Sequence, residues 1–346
     1  MGVFSNGGVG IDLGSANVTI SLQNEGVVLR EPSYVLCLQD DTDDILAVGR
    51  DARQMLGRTP EDVLLVSPVM DGAVGNIDMA TQLLRRLAEK ALGKRRALEK
   101  NRLVVTMSQG CTRVERTALE DAVRATGARR AALLRSSVAA ALGAGMPIEA
   151  PKGSLLVTIG GSTTEVTILS MNGVAAARSM RTGSLAMDEA IMRFIRREKG
   201  VIIGQRTAED LKIDLGNALD VPSLYRQTAT LRGRNAASGK PTTTEISGAD
   251  IHKAILPSLE TLVESIRDAF ENIPAELAED ILPTGLVLSG GGAQLDGLSD
   301  RLSEMLKLNV TTSDAPEDDA ALGACMVAAD DRLAQRLEQS GCLIEL

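Results

Sequence analysis

The sequence predicts an α/β protein built from two related halves that face a common cleft. Two segments share one pattern of strand, glycine–hydroxyl turn and strand. In the first, residues 9–13 lead into Gly14, Ser15, Ala16 and Asn17; in the second, residues 155–159 lead into Gly160, Gly161, Ser162, Thr163 and Thr164. A later strand, residues 285–288, runs into Ser289, Gly290, Gly291 and Gly292. Recurrence of the opening unit is an internal pseudo-repeat. The length of 346 residues suggests about two domains.

Element by element, Val9, Ile11 and Leu13, then Val18, Ile20 and Leu22, alternate about the turn Asn24-Glu25-Gly26. That alternation predicts an opening meander continuing through residues 27–29. Strands are expected at 32–38 and 45–48, on either side of an exposed acidic turn at 40–44. Met79, Leu83, Leu84, Leu87 and Ala91 recur at helical spacing and predict an amphipathic helix over 78–92. Gly93 and the cations Lys94, Arg95 and Arg96 close it. There follow a strand at 103–107, a helix over 112–126 that starts on Thr112 and stops at Gly127, a strand at 131–134 and a small-residue helix at 138–144.

In the second half, strands at 166–170 and 174–179 flank the turn Met171-Asn172-Gly173. Helices are expected at 184–199, 207–215 and 248–271, with another after Gly292. The polar, turn-rich stretch 233–245 reads as a hairpin in a peripheral subdomain. Leu333 and Leu337 predict a helix over 328–337 docked on the first domain. Residues 341–346 are apolar enough either to pack or to bind a partner.

Composition narrows the function classes. The chain carries 37 basic and 46 acidic residues, a net charge of −9, which argues against bulk contact with a nucleic-acid backbone. With no Trp, two Tyr and three Phe it lacks stacking platforms for single strands, so no nucleic acid partner is expected. No run approaches the roughly 18 apolar residues of a membrane span. Residues 1–10 show neither a basic n-region nor an apolar h-region, and Asn6 breaks the myristoylation pattern. Cys37, Cys111, Cys325 and Cys342 are scattered without metal spacing and read as free thiols of a reducing cytosol. His252 is the single histidine, expected to be structural or exposed, so a His-based triad or zinc site is not expected.

The chemistry lies in the three turns. Backbone N–H groups in glycine-rich turns form anion nests, and glycine lets the backbone approach a phosphate closely. Ser15, Asn17, Thr163 and Thr164 are candidate side-chain donors. The first strand delivers the carboxylate of Asp12 into its turn, whereas the matching place in the second copy is Thr158.

With these turns on the page, the chain resembles the actin-like superfamily and, within it, the bacterial MreB cell-shape proteins. The resemblance runs nearly end to end. It includes Val48-Gly49-Arg50-Asp51-Ala52-Arg53-Gln54-Met55-Leu56-Gly57-Arg58-Thr59-Pro60 and Pro68-Val69-Met70-Asp71-Gly72. Ala139-Ala140-Ala141-Leu142-Gly143-Ala144-Gly145, Asp188-Glu189-Ala190-Ile191, Thr207-Ala208-Glu209-Asp210-Leu211-Lys212 and Gly233-Arg234-Asn235 complete it.

The resemblance implies an actin-like fold: two ribonuclease-H-like large subdomains, each with a smaller inserted subdomain, and a nucleotide cleft between them. The implied first domain is 1–147 plus 317–346 with a small subdomain at about 32–66; the second is 148–316 with a small subdomain at about 182–245. It implies ATP or ADP with Mg2+, self-association into protofilaments, work with cell-wall elongation proteins, and a cytoplasmic location beneath the membrane. Residue by residue, Asp12 resembles the carboxylate that organises the hydrated Mg2+. Gly14, Ser15, Ala16 and Asn17 resemble the first phosphate loop, and Gly160, Gly161, Ser162, Thr163 and Thr164 the second. Gly290, Gly291 and Gly292 resemble the adenosine loop, and Glu209 and Lys212 the helix bordering the ribose and base. For Glu209 an i,i+3 pair with Lys212 on a solvated helix face stays open as the alternative.

Three departures set this chain apart. Where the family carries Glu-Glu-Pro-Met, this chain has Arg135-Ser136-Ser137-Val138, so Ser136 stands where a glutamate positions the attacking water. Thr158 replaces the aspartate that begins the second phosphate loop, and Ser162 replaces its third glycine. Arg135 also places positive charge near the cleft, where the family has negative. Loss of two carboxylates is expected to impair hydrolysis, each being worth on the order of 10²–10⁴ in acid–base catalysis, while backbone nests preserve binding. Active hydrolysis and loss of binding remain the other outcomes. A non-polymerising paralogue that regulates another filament protein is the alternative to a filament. The basic loop 93–100 reads either as a solvated helix end or as a weak contact with anionic lipid.

Overall fold

The opening meander forms from the antiparallel strands Gly8–Leu13, Asn17–Leu22 and Gly26–Pro32. These come from a computed structural model that describes residues 7–41, 44–93 and 97–346. The meander's first turn is tight: Gly14 N donates to Asn17 O at 3.1 Å. A Cβ at Gly14 would lie 2.8 Å from that same oxygen, so only glycine fits. The second half repeats the device. Strands Ser154–Ile159, Thr164–Ser170 and Gly173–Met180 form an antiparallel meander, and Gly160 N donates to Thr163 O at 2.8 Å.

Each meander is extended by two parallel strands. These are Arg102–Met107 and Arg130–Arg135 in the first half, and Leu286–Ser289 and Val310–Thr312 in the second. The strand order is the same in both sheets: the meander from its third strand inward to its first, then the two parallel strands. The pseudo-repeat is therefore one of topology as well as of sequence. A sixth strand, Leu343–Glu345, pairs antiparallel with Arg130–Arg135. The apolar tail packs on the first sheet.

The expected strand over 32–38 divides, because Pro32 ends the meander while Val35–Leu38 opens a separate sheet. That sheet joins Ile45–Val48, Val35–Leu38 and Val63–Val66. Its counterpart in the second half joins Val201–Ile202, Thr228–Asn235 and Pro241–Ser247 and contains the expected hairpin. The acidic turn's residues 42–43 lie outside the described residues.

Helices follow their capping chemistry. Ile77–Leu92 is capped by Asn76 and ends on Gly93 in the left-handed region, φ 64°. Arg113–Ala125 opens with a reciprocal Thr112/Glu115 capping box. Gly248–Glu271 opens with the Ser247/Asp250 equivalent. At the C-terminal end the single helix expected over 328–337 is two helices, Asp319–Ala329 and Asp331–Gln339. Asp330 separates them in an extended conformation, its carboxylate accepting from Arg332 N and Leu333 N. A capping aspartate competes with helix continuation and wins here. Leu333 and Leu337 are buried as expected.

Three apolar clusters form the core. Two lie one in each half. The third joins the halves, with Val104 and Leu134 of the first sheet, Leu156 and Leu169 of the second, and Val138, Ala139, Ala324 and Val327 between them. Its centre is a crossing of helices Ser136–Gly143 and Asp319–Ala329 at backbone contact. A Cβ on Gly143 would lie 1.9 Å from Asp319 O, and one on Gly323 1.8 Å from Ala139 O.

Gly323→Ala is expected to lower unfolding stability by about 1–3 kcal/mol through overpacking, measured by urea denaturation. Helix propensity alone favours alanine by about 1 kcal/mol, so a gain in stability would refute this account of the crossing.

Candidate functional site

The three glycine turns converge on one cavity of about 520 Å³ between the halves. Gly14, Ser15, Ala16 and Asn17 line it from the first turn, and Gly160, Gly161 and Thr163 from the second. Gly290, Gly291 and Gly292 line it from the third, with Ser136, Thr158, Glu209 and Lys212 also on its walls. The first two turns nearly touch: a Cβ on Gly161 would lie 3.0 Å from Ala16 Cβ. Ser15 Oγ and Ser162 Oγ are hydrogen-bonded at 2.6 Å. Ser162 thus ties one turn to the other.

Asp12 lies near the end of the first strand, and its Oδ1 accepts from Thr106 Oγ1 at 2.6 Å. Burial pushes its carboxyl above the ordinary carboxylate value, and the Thr106 hydrogen bond only partly offsets this. Thr158 sits directly opposite Glu165 in the register of the second meander. Thr164 is fully buried and its hydroxyl donates to Thr182 O at 2.8 Å. Its side chain is spent on holding the turn, unlike that of Thr163. Arg135 donates to Gln109 Oε1 at 3.2 Å and is not among the residues lining the cavity.

At the cavity mouth the alternative pairing of Glu209 with Lys212 is not formed. Glu209 instead makes an ion pair with Arg53 of the other half, and Tyr34 Oη donates to Gln205 Oε1 at 3.2 Å beside it. Two contacts therefore bridge the helix Gly49–Arg53 and Tyr34 of the first half to the helix Gln205–Leu215 of the second. Lys212 Nζ lies 2.7 Å from Asp188 Oδ1 and donates to Ser184 O at 3.2 Å. Burial pushes the Asp188 carboxyl up to about 6, with the Lys212 charge opposing the shift.

The third turn is held by backbone. Gly290 adopts φ +84°, its N donates to Pro316 O at 2.7 Å, and a Cβ there would lie 2.4 Å from Ile159 O. Beneath it Asp319 accepts from Ser289 Oγ at 2.7 Å and Ser313 Oγ at 2.9 Å. His252 plays a structural part, with Nδ1 2.8 Å from Asn217 O.

Glu165 is among the cavity residues that were not assigned a role from the sequence. Glu165, 3% exposed, accepts from Ser108 Oγ, Gln109 N and Ser136 Oγ, each at 2.7 Å. Its signal was a glutamate set within the strand-forming run Thr163-Thr164-Glu165-Val166-Thr167-Ile168. Glutamate is disfavoured in strands, so its presence there marks a charge held for a reason.

Two sheets of matching order, two small sheets and a cleft of glycine turns define an actin-like protein. The crystal structure of MreB 5 of Spiroplasma citri bound to AMPPNP shares this fold at a TM-score of 0.88 and 28% identity, over 97% of this chain and 99% of that one. Its ADP-bound counterpart matches at 0.86 and 28%, over 95% and 98%. The MamK double helical filament shares the fold at 0.76 with 18% identity, over 93% and 98%. The chain belongs to the MreB/Mbl protein family, whose model matches residues 6–336. It is 38% identical over 318 residues to the cell shape-determining protein MreB of Escherichia coli strain K12, covering 91% of each chain. It is 34% identical over 329 residues to the cell shape-determining protein Mbl of Bacillus subtilis strain 168, covering 95% of this chain and 98% of that one.

Asp188 gives a pH dependence of stability. Its native value of about 6 lies above the ordinary 3.8, so its stabilising contribution is complete below about 3.8 and is lost as pH rises through 6. The difference between wild type and Asp188→Asn, followed by chemical denaturation, is expected to change across that window and level off above it. A constant difference from pH 4 to 7 would refute the assignment.

Proposed function

We propose that this chain is an adenine-nucleotide-binding filament protein of the cell-shape machinery, with weak hydrolysis. The observation that carries the reading is the convergence of three backbone-donor turns on one cavity between two matched halves. Relatives named as cell shape-determining proteins, and fold neighbours bound to ADP and AMPPNP, support it. In this reading Gly14, Ser15, Ala16, Asn17, Gly160, Gly161 and Thr163 hold the phosphates, and Ser162 lies beside them with its hydroxyl tied to Ser15. Thr164 braces their turn, and Glu209, Lys212, Gly290, Gly291 and Gly292 border the nucleoside.

Asp12 would hold Mg2+ through water. A half-buried carboxylate on the cavity wall whose ionised form is penalised by desolvation, with one hydroxyl partner, fits a site completed by a cation. When bound, the metal supplies charge neutralisation for phosphate oxygens. Thr158 and Ser136 present hydroxyls where the family's carboxylates stand, and a hydroxyl does not serve as a base near neutral pH. That is the basis for weak hydrolysis.

The remaining parts follow from the family. Residues 1–147 with 317–346 form one domain and 148–316 the other, with small subdomains at about 32–66 and 182–245. Protofilaments form by self-association in the cytoplasm and act with cell-wall elongation proteins. Among the described residues no helix is long and apolar enough to cross a membrane. The basic loop 93–100 is retained as a weak lipid-surface contact, although Lys94, Arg95 and Arg96 lie outside the described residues.

A fluorescent-nucleotide titration with and without Mg2+ tests the reading, and absence of binding in both would reject it. Ser162→Gly removes the hydroxyl tie across the phosphate site. One net hydrogen bond is worth about 0.5–1.5 kcal/mol, so ATP is expected to bind roughly two- to tenfold more tightly; weaker binding would show that Ser162 helps to hold the phosphates. Electron microscopy with ATP or AMPPNP is expected to show concentration-dependent protofilaments. A monomer at all concentrations would favour a regulator of another filament protein.

A further inference from the structure

The sequence shows two hydroxyls where carboxylates were expected, yet the folded cleft keeps a carboxylate beside them. Glu165 Oε2 lies 2.7 Å from Ser136 Oγ, and Oε1 accepts from both Ser108 Oγ and Gln109 N. One oxygen is thus anchored twice, while the other takes a single hydroxyl. Glu165 stands across the strand pair from Thr158 and lines the same cavity as Asp12, Ser136 and Thr163. The three donors come from two separate segments: Ser108 and Gln109 follow the strand Arg102–Met107, and Ser136 begins the helix Ser136–Gly143.

We propose that Glu165 accepts the proton of the attacking water when this cleft hydrolyses a nucleoside triphosphate, with Ser136 as the residue that positions the carboxylate. The proposal rests on the nucleotide reading above and assigns the residual chemistry of that site to a group of this chain. In the step, the water oxygen bonds to the terminal phosphorus as the bond from that phosphorus to the bridging oxygen breaks. The nucleoside diphosphate leaves with that electron pair. One water proton passes to the Glu165 carboxylate, and the other stays on the released phosphate. A base must lie within hydrogen-bond reach of the proton it takes, and a group fixed by three donors costs little reorganisation at that moment.

The surroundings tune this group. Burial raises its proton affinity, the negative charge of Asp12 adds to that, and the bonds from Ser108, Ser136 and Gln109 N oppose it. Cys111 is the titratable neighbour on the loop after Gln109, within electrostatic range of Glu165, Glu115, Arg116 and Arg135; its thiol is pushed up to about 11 and stays neutral in the assay range.

The test uses the full chain with ATP and, for binding, AMPPNP. Glu165→Gln keeps the shape and an acceptor for Ser108 and Gln109 N. It is expected to bind AMPPNP within about threefold of wild type and to cut single-turnover phosphate release on the order of 10²-fold. The rise of rate with pH seen in the wild type should vanish. The weakening of AMPPNP binding as pH rises, caused by ionisation of Glu165 beside the phosphates, should vanish with it. Ser136→Ala removes a bond that favours the ionised form, so the midpoint of the rate profile is expected to move to higher pH. Wild-type hydrolysis in Glu165→Gln with an unchanged profile overturns the proposal. So does wild-type turnover at the uncatalysed background with AMPPNP bound. If Glu165→Gln does not fold, an unshifted midpoint in Ser136→Ala overturns it and leaves the hydroxyl–carboxylate cluster as a structural clasp. Failure of the wild type to bind any nucleotide rejects the underlying reading instead.

Discussion

The closeness of the crossing between helices Ser136–Gly143 and Asp319–Ala329 governs the rest of the architecture. At Gly143 and Gly323 the helices meet backbone to backbone, and Gly10 lets the first sheet approach equally near, since a Cβ there would lie 2.2 Å from Cys325 N. Small residues give up side-chain burial to gain this proximity, and the return is dispersion contact over a long seam. The seam also sets the geometry of the cleft. One helix begins at Ser136 on the cavity wall, and the other begins with Asp319, which braces Ser289 beneath the third turn. A wider crossing would carry both helix starts away from the turns they support.

Around that seam the protein tolerates an unusual set of buried and half-buried acids. Asp12, Glu165, Asp188 and Asp319 are each pushed up by burial, and each is met by hydroxyls, a backbone amide or one lysine. Taking an ionised carboxylate out of water is unfavourable unless a partner offsets it. A chain of net charge −9 gains nothing in solubility from placing more acids inside. Perturbed carboxyls of this kind concentrate at sites of binding and chemistry. Here Asp12 and Glu165 line the cavity itself, whereas Asp188 and Asp319 hold the elements that surround it.

Most of the fold was legible in the sequence, because its long elements carry strong local signals. The meander alternation, the Thr112 cap and the 248–271 helix all reappear. Short elements such as Gly49–Arg53 and Val63–Val66 were missed, since a turn of helix or four half-buried residues gives too little periodicity to detect. The break at Asp330 was missed because helical spacing of leucines continues across it, while the cap that causes the break depends on a single side chain. In the site, the glycine turns could be read from the strand–glycine grammar. The partners of Glu209 and Lys212 could not: Arg53 lies 156 residues from Glu209, and Asp188 lies on a different helix from Lys212. Ser136 could be named as a departure, but its hydrogen bond to Glu165 is a fact of tertiary proximity alone.

The two ends of the cleft are made of different material. Its floor is an apolar seam of alanine, valine and glycine, while its mouth is bridged by the Arg53–Glu209 pair, each side chain about a quarter exposed, and by one tyrosine hydrogen bond. Dissolved ions screen exposed charges over a Debye length of about 8 Å at physiological ionic strength, and they leave an apolar seam untouched. Ionic strength therefore acts on the entrance without acting on the seam. A change in ionic strength would alter how readily the mouth opens, and how long a captured ligand stays, while the apolar seam beneath keeps its packing.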